Sequence, residues 1–367
     1  MNIFKGQRDQ LLRPLQSVSG IVEKRHTLPI LSNVLLESTG GRLTLLATDI
    51  ELQITTTTNT EDNSEAAITI GAKKLQDILK SLPDSSVVSL DLEGSKLLLK
   101  SGKSRFTLQT LPAQDFPKIV SPSCADTVLE LPQQKLKALI NRVQYAMAQQ
   151  DIRYYLNGLL FVINGDQLRL IATDGHRLAY AVEQLDKDYG RSEIIVPRKT
   201  VTELSKQLSD SEDPIKIGIA QNQATFTFLD IEMVTKLIDG KFPDYERVIP
   251  SSHTKRFTLT KTEYQQALQR VAILTTDKFR GVRLLLDKCS LKIVSTNSDQ
   301  EEAIEEIEIA YDGEFLDVGF NVTYLLDVLN HTSSDEIEVY LSDANSSALF
   351  LLPGVDTFKY VVMPMRI

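Results

Sequence analysis

An α+β protein made of three copies of one domain, each copy two strand-helix-strand-strand-strand halves, is the fold that the 367-residue sequence predicts. Three observations lead there. A strand, turn, strand, Thr-Asp or Thr-Asn, strand pattern occurs at LSNVLLESTGGRLTLLATDIELQITT, at LNGLLFVINGDQLRLIATDGHRLAY and at FRGVRLLLDKCSLKIVSTNSDQEEAIEEI. The copies stand roughly 125 residues apart, a domain's length rather than a solenoid's period. A segment with apolar residues at three- and four-residue intervals precedes each copy, and a second helix-then-strands unit follows it. Strands that alternate apolar and polar residues, with one helix per half, predict antiparallel sheets that carry their helices on one face.

In chain order, the first domain (1–122) opens its halves with the helices RDQLLRPLQSVSGIV and AKKLQDILKSL. The second (128–250) does so with PQQKLKALINRVQYAM and PRKTVTELSKQL, and the third (253–367) with KTEYQQALQRVAIL and NVTYLLDVLN. Phe-Pro recurs at both boundaries, in FPKIVSPSCADTV and FPDYERVIPSSHTK, where proline and serine break the periodic pattern.

Composition narrows the function. A hydrophobic share of 42% suffices for real cores. The N-terminus has no apolar stretch ahead of a small-residue cleavage site, and no run approaches the ~18 apolar residues of a membrane helix, so the expected location is the cytoplasm. Cys124 and Cys289 read as reduced thiols, and neither has a histidine beside it. His26, His176, His253 and His331 are scattered without ligand spacing, and no glycine-rich phosphate loop occurs; no metal or cofactor is expected. The net charge of −9 excludes a protein that coats nucleic acid with its whole surface, though not a local basic lining.

The signs of charge separate by element. Arg8, Arg13, Lys24 and Arg25 lie on or after the first helix, Lys73, Lys74 and Lys80 on the second, and Lys135, Lys137 and Arg142 on the third. Arg198, Lys199 and Lys206 follow on the fourth, and Arg270 and Lys278 at the end of the fifth; the sixth carries no cation. Acids crowd strands and loops, as in QEEAIEEIEI. One such helix reads as a solvated face; five on an acidic protein make that reading weaker.

ATDGHRLAY places an acid, a glycine, an imidazole and a guanidinium together. Catalysis would need a nucleophile, and no serine or cysteine adjoins His176, while Asp174 and Arg177 can neutralise one another. The same register reads ATDIELQ in the first repeat and STNSDQE in the third, so Thr-Asp belongs to the fold and only Gly-His-Arg is extra. A satisfied turn and a binding wall both remain open.

TLPIL, QDIRYYLNG, ATDGHRLA, VPRK, DGKFPDY, FRGVR, FNVTYLLDVLN and YVVMPMR, in this order over nearly the whole chain, resemble the bacterial DNA polymerase III beta subunits, the sliding clamps. The resemblance implies a non-catalytic processivity factor with the DNA clamp fold, a closed homodimeric ring with helices lining the hole and sheets outside. Duplex DNA, bound without regard to sequence, would pass through it. The replicative polymerase, the clamp loader, other polymerases and repair proteins would dock through a short peptide motif. Carried over by position, the peptide pocket comprises Arg153, Tyr155, Leu156, Thr173, Gly175, His176, Arg177, Leu178, Pro243 and Val248, with Asn321, Tyr324, Ser347, Val361, Met363, Pro364, Met365 and Arg366 from the third domain. Its leucines, valines and unbranched methionines suit a cleft that repacks around several peptides, with arginine and histidine orienting the peptide backbone. Asn345 stands where a more apolar residue is expected.

Basic helices and the QQDIRYY loop suggest DNA contacts at Arg25, Lys73, Lys74, Gln150, Tyr154, Arg198, Lys199 and Arg247, the two tyrosines being either base-stacking or packing residues. The strand KSGKSRFTLQT is basic with Phe106 and Leu108 on one face, and it matches the acidic QEEAIEEIEI near Ile273 and Leu274. A head-to-tail dimer interface is therefore expected from Lys74, Ile78, Lys103, Arg105, Phe106 and Leu108 on one side and Ile273, Leu274, Glu301 and Glu305 on the other.

Overall fold

The computed structural model describes residues 1–22, 28–61, 64–122, 124–276 and 280–367. Lys24, Arg25, Lys278 and Phe279, singled out above, lie outside the described residues.

The strand-helix-strand-strand-strand half occurs six times. The first repeat contains β1 (Asn2–Gln7), α1 (Arg8–Ser19), β2 (Asn33–Thr39), β3 (Arg42–Thr48) and β4 (Leu52–Asn59). Its second half is β5 (Ala66–Gly71), α2 (Ala72–Ser81), β6 (Val87–Glu93), β7 (Lys96–Ser101) and β8 (Ser104–Pro112). The second repeat follows with β9 (Thr127–Pro132), α3 (Gln133–Val143), β10 (Gly158–Asn164), β11 (Gln167–Thr173) and β12 (Arg177–Gln184). Then come β13 (Arg191–Pro197), α4 (Arg198–Gln207), β14 (Pro214–Ile219), β15 (Gln223–Phe228) and β16 (Ile231–Lys236). A one-turn helix that the sequence reading did not anticipate, α5 (Tyr245–Val248), leads into the third repeat. That repeat has β17 (Lys255–Thr260), α6 (Lys261–Ala272), β18 (Gly281–Asp287), β19 (Ser290–Thr296) and β20 (Glu302–Glu308), then β21 (Leu316–Asn321), α7 (Val322–Asn330), β22 (Glu336–Leu341), β23 (Ala348–Leu352) and β24 (Val355–Val362). No helix among the described residues is long and apolar enough to cross a membrane.

The helices form where three- and four-residue spacing collects apolar side chains. α1 buries Leu11, Leu12, Leu15 and Val18, and α6 buries Tyr264, Ala267, Leu268 and Val271. Gln10 Oε1 accepts from the Gln7 amide at 2.8 Å at the start of α1, and Asn321 Oδ1 accepts from the Thr323 amide at 2.9 Å at the start of α7, so orphan amides are satisfied at both ends.

The chain divides into two compact units, Met1–Gln134 with Lys206–Leu237, and Lys135–Ser205 with Ile238–Ile367. The first holds a 12-stranded antiparallel sheet in the order β1-β6-β7-β8-β5-β2-β3-β4-β16-β15-β14-β9. Within it β8 pairs along β7 from Ser101↔Ser104 to Lys96↔Gln109, but reaches β5 only through Thr110, Leu111 and Pro112. One flank of Ser104–Gln109 is thus open. The second unit holds an eight-stranded sheet, β13-β10-β11-β12-β24-β23-β22-β17, and a four-stranded sheet, β20-β19-β18-β21, in which β20 is an edge.

One turn recurs in all three repeats. Thr48 Oγ1 donates to Leu52 O at 2.9 Å, while Asp49 Oδ1 accepts from the amides of Glu51 (3.0 Å) and Leu52 (2.7 Å). In the second repeat Thr173 Oγ1 donates to Arg177 O at 2.6 Å and Asp174 Oδ1 accepts from the amides of His176 (2.9 Å) and Arg177 (3.1 Å). Asn297 Oδ1 accepts from Asp299 and Glu301, both at 3.0 Å, in the third. Thr-Asp and Thr-Asn therefore do belong to the fold, as an aspartate or asparagine turn that turns the chain between adjacent strands. In the first two repeats the third position is left-handed, Gly175 at φ 88° and its counterpart Ile50 at φ 72°, whereas in the third repeat the left-handed residue is Gln300 at φ 62°. A β-branched residue in that conformation is strained. Because Ile50 is 40% exposed, Ile50→Gly gives up little packing. It should raise the unfolding free energy by roughly 0.5–1 kcal/mol after the extra chain entropy of glycine is deducted. Urea denaturation checks this; an unchanged or lowered midpoint would show that Ile50 packing outweighs the strain.

Candidate functional site

Alternation along the eight-stranded sheet puts Leu160 and Val162 of β10, Ile171 of β11, Leu178 and Tyr180 of β12, Val361 of β24, Leu349 of β23 and Ile195 of β13 on one face. Across this face runs the segment that carries Ile238, Phe242, Tyr245, Val248 and Ile249. With Ala148, Leu156 and Tyr155 these side chains make one apolar cluster. Leu156, Thr173, Leu178 and Val361 are buried, Tyr155 and Val248 half-buried, and Pro243 exposed. Most of the pocket residues expected from the second repeat thus meet here. Phe242, Tyr245, Ile249 and Leu349 complete the cluster and were missed by the sequence reading, although Phe-Pro at the domain boundary was a signal for Phe242.

The C-terminal tail is tied to the same place. Met363 donates its amide to His176 O at 2.8 Å and Met365 to Gly319 O at 2.9 Å. Gly319 matters for closeness: a Cβ there would meet Met365 O at 2.5 Å. This isolated glycine inside a strand is the kind of position that marks a close backbone approach, and it was overlooked. Met363 and Arg366 are exposed, Pro364 and Met365 half-buried, and His176 is exposed on the turn above them.

Arg177 corrects an expectation. It was assigned to orient a peptide, but its charge is used inside the chain. Nε donates to Asp174 Oδ2 at 3.1 Å, Nη1 pairs with Asp327 of α7, and Nη2 donates to Tyr145 O at 2.7 Å. The guanidinium lies 4.5 Å from the Tyr324 ring centroid and its side chain is only 10% exposed. Burial by itself would lower the pKa of Arg177; the Tyr360 hydroxyl and the Asp327 carboxylate outweigh it and raise the value. Tyr145 stacks on His331 at 4.4 Å, and Tyr360 donates to Tyr324 O at 2.9 Å. Tyr324 therefore belongs to this knot, which joins α7 and β24 to the turn before β12.

Arg153 holds the loop beside it. Its guanidinium donates to both oxygens of Asp151, at 3.0 and 2.8 Å, and to Asp174 O at 3.2 Å. Those hydrogen bonds hold the Asp151 carboxyl at about 2. A Cβ on Gly175 would meet the tip of the Arg153 side chain at 2.9 Å, which that side chain can relieve by shifting, so glycine is favoured there chiefly by its φ of 88°. Ser347 is half-buried and Asn321 caps α7, whereas Asn345 sits on an exposed turn with its amide on Asp343 Oδ1 at 2.8 Å.

The equivalent junction in the first unit is built differently. β4 pairs with β16 as β12 pairs with β24, and Lys236 donates its amide to Glu51 O at 2.9 Å, as Met363 does to His176. But Gln53 occupies the register of Leu178. Its amide group accepts from the Ile119 N–H at 2.8 Å and donates to Ile119 O at 3.3 Å, so the chain's own linker is clasped over the strand. Leu178 makes no such bonds and is buried in the apolar cluster instead.

The expected nucleic-acid residues have mixed environments. Lys73 and Lys74 are exposed on α2, Gln150 is exposed in a left-handed conformation (φ 53°), and Tyr154 is 59% exposed, whereas Tyr155 packs in the cluster. Lys199 is half-buried, and Arg247 is exposed with Asp244 at 2.9 Å. Arg198 is corrected: half-buried, it donates to Met147 O at 2.8 Å, and burial followed by repulsion from Arg177 lowers its pKa. Arg8 likewise pairs with Asp9 and Asp84, and Arg270 with Glu305.

Of the expected dimer residues, Phe106 and Leu108 alternate onto one face of β8, and Lys103 and Arg105 are exposed. Lys74 and Leu108 line a groove of about 880 Å3 between α2 and β8, and Ile78 is half-buried on α2. In the other unit Ile273 is 77% exposed and Leu274 half-buried. The two acids are not free charges: Glu305 accepts two bonds of 2.7 Å from Arg270 and Glu301 accepts from Asn297 at 2.6 Å.

Six copies of one half-domain among the described residues, an apolar cluster flanked by a tied-down tail, and basic side chains exposed on helices fit a binding protein of the clamp class. The comparisons specify it. Residues 2–120, 130–244 and 246–366 match the N-terminal, central and C-terminal domains of the DNA polymerase III beta subunit. The chain is 46% identical to the beta sliding clamp of Pseudomonas putida over 99% of this chain and 100% of the relative, and 44% identical to that of Vibrio cholerae over the same shares. The crystal structure of the DNA polymerase III subunit beta from Pseudomonas aeruginosa has 45% identity and a TM-score of 0.95, covering 100% of both chains. The Bartonella birtlesii sliding clamp bound to griselimycin has 36% identity and the same TM-score of 0.95, again over 100% of both. The chain belongs to the DNA polymerase III beta subunit family.

Replacing Arg177 by Leu would leave the carboxylates of Asp174 and Asp327 facing each other, partly desolvated. A loss of about 3 kcal/mol in unfolding free energy is expected. Asp327→Leu in the same chain should restore part of it. Urea denaturation of the two single variants and the double variant measures the coupling, and additive losses would contradict the knot.

Proposed function

We propose that this protein is a sliding clamp whose two copies close a ring around duplex DNA and hold the replicative polymerase on its template, without chemistry of its own. The observation that carries this reading is the match of all three repeats, over residues 2–366, to the beta-subunit domains. The domains of that clamp are 1–122, 128–250 and 253–367, and it works in the cytoplasm.

Ring closure is head to tail. The open flank of β8 and the groove beside α2 receive Ile273, Leu274 and the edge strand β20 of a second copy. Because Glu305 and Glu301 are already engaged within the chain, apolar contact at Phe106, Leu108 and Ile78 supplies most of the affinity and charge sets the register. Phosphate contacts are assigned to Lys73, Lys74, Lys199 and Arg247, and further DNA contacts to Arg25, Gln150 and Tyr154; such contacts are blind to sequence, which sliding requires. Arg198 contributes by bracing the Met147 turn. The cleft takes a short apolar peptide motif from the polymerase, the clamp loader and repair proteins in turn. His176, Leu178, Val248, Val361 and Met363 form its walls, and Arg177 holds them in place. Contacts of this size give roughly micromolar, exchangeable binding.

Retention on nicked circular DNA but not on the same DNA linearised, after loading by a cognate clamp loader, tests the ring; equal loss from both would reject it. Ile273→Ala with Leu274→Ala should shift sedimentation at micromolar concentration from dimer to monomer and abolish retention on the circle. Removing residues 363–367 should weaken binding of a polymerase-derived peptide at least tenfold while the protein stays dimeric. Undiminished peptide binding would separate the tail from the cleft.

A further inference from the structure

Beside the cleft, on the same face of the eight-stranded sheet, two small cavities open. One of about 310 Å3 lies among Tyr180, Tyr245 and the 249–251 segment, and one of about 250 Å3 lies among Tyr340, Leu351 and the 354–356 turn. Lys359 lines both. Its ammonium is 5.9 Å from the Tyr180 ring centroid, and among the described residues it has no ion-pair partner. Two of the three acids that line these cavities have cations of their own: Glu338 takes Arg256 at 2.7 Å and the Tyr340 hydroxyl at 2.7 Å, and Glu246 takes Arg169 at 3.4 Å. The third, Asp356, is exposed and lines the second cavity.

Register makes this place continuous with the cleft. Leu178 and Tyr180 point to the same side of β12, Val361 and Lys359 to the same side of β24, and Leu178↔Val361 and Tyr180↔Lys359 are successive same-face pairs. Lys359 therefore stands roughly 7 Å along the sheet from the cleft floor, a distance that two residues of extended peptide cover.

We propose that Lys359, beside the ring of Tyr180 in a cavity that Tyr245 also lines, is an accessory subsite for a carboxylate side chain flanking the apolar anchor of a docked peptide. It rests on the peptide-docking reading above. The aromatic walls shed water from the ammonium and limit its motion, which makes a pair here worth more than a free surface one. Partners that share one apolar anchor would be ranked by the acidity of their flanks.

Fluorescence anisotropy on the full-length protein tests it. The probes are a labelled peptide with a leucine-phenylalanine anchor extended at either end by two Glu, two Gln or two Lys. The Glu-flanked probe should bind threefold to tenfold more tightly than the Gln-flanked one, at one end only, and the advantage should shrink with salt. Lys359→Gln should bring the Glu-to-Gln affinity ratio near one, and Lys359→Glu should invert the order in favour of the Lys-flanked probe. Equal affinities for all flanks on the wild type, or a Glu preference that survives both substitutions, would overturn the subsite. Failure of every probe to bind the wild type would instead overturn the docking reading, and the subsite with it.

Discussion

The pairing of β12 with β24 is the constraint on which the rest of the site depends. A strand at the end of a half-domain presents unpaired amides and carbonyls, and an apolar face with nothing over it. Joining it to a strand of the next repeat satisfies the backbone and makes one continuous face of eight strands. The ladder runs on past the regular strand, since Met363 N–H to His176 O continues it at the turn. Everything that lines the cleft is positioned by this register, and a slip of one residue would turn Leu178 and Val361 to the other side.

The same junction is made twice, and the comparison separates fold from function. In the first unit Gln53 offers an amide to a passing backbone, and the linker is bound in place by two hydrogen bonds. In the second, Leu178 offers nothing polar, and the counterpart linker turns into α5 and contributes side chains to a cluster. A difference in a repeated register thus goes with a change from a hydrogen-bonded junction to an apolar cluster. The Thr-Asp turn beneath it is the same in both.

Polar groups near the cleft mostly serve to hold it still. Arg177, Arg153 and Arg198 all project from the region where a peptide or DNA was expected to meet them, and all three spend donors on carbonyls or carboxylates of their own chain. A partly buried guanidinium has five donors and a charge that must be compensated, so it gathers carbonyls and acids around itself. The result is a rigid rim. What faces outward here is the His176 imidazole on its glycine turn and Met363 of the docked tail.

Local rules made the six half-domains legible, because period-two strands, three-and-four-residue helix spacing and the Thr-Asp turn each depend on residues within a few positions of one another. The contrast between Gly-His-Arg and its counterparts was legible for the same reason, and so was the alternation of Phe106 and Leu108. What the sequence left open was decided by register between strands distant in the chain. Only the tertiary structure assigned the guanidinium of Arg177 to Asp327, 150 positions away. It likewise drew Met365 against Gly319, and set Lys359 near Glu338 and Glu246, which are paired to other cations. A charge in a sequence has no partner until the sheet is closed, and burial and neighbours then determine whether it binds a ligand or holds the chain.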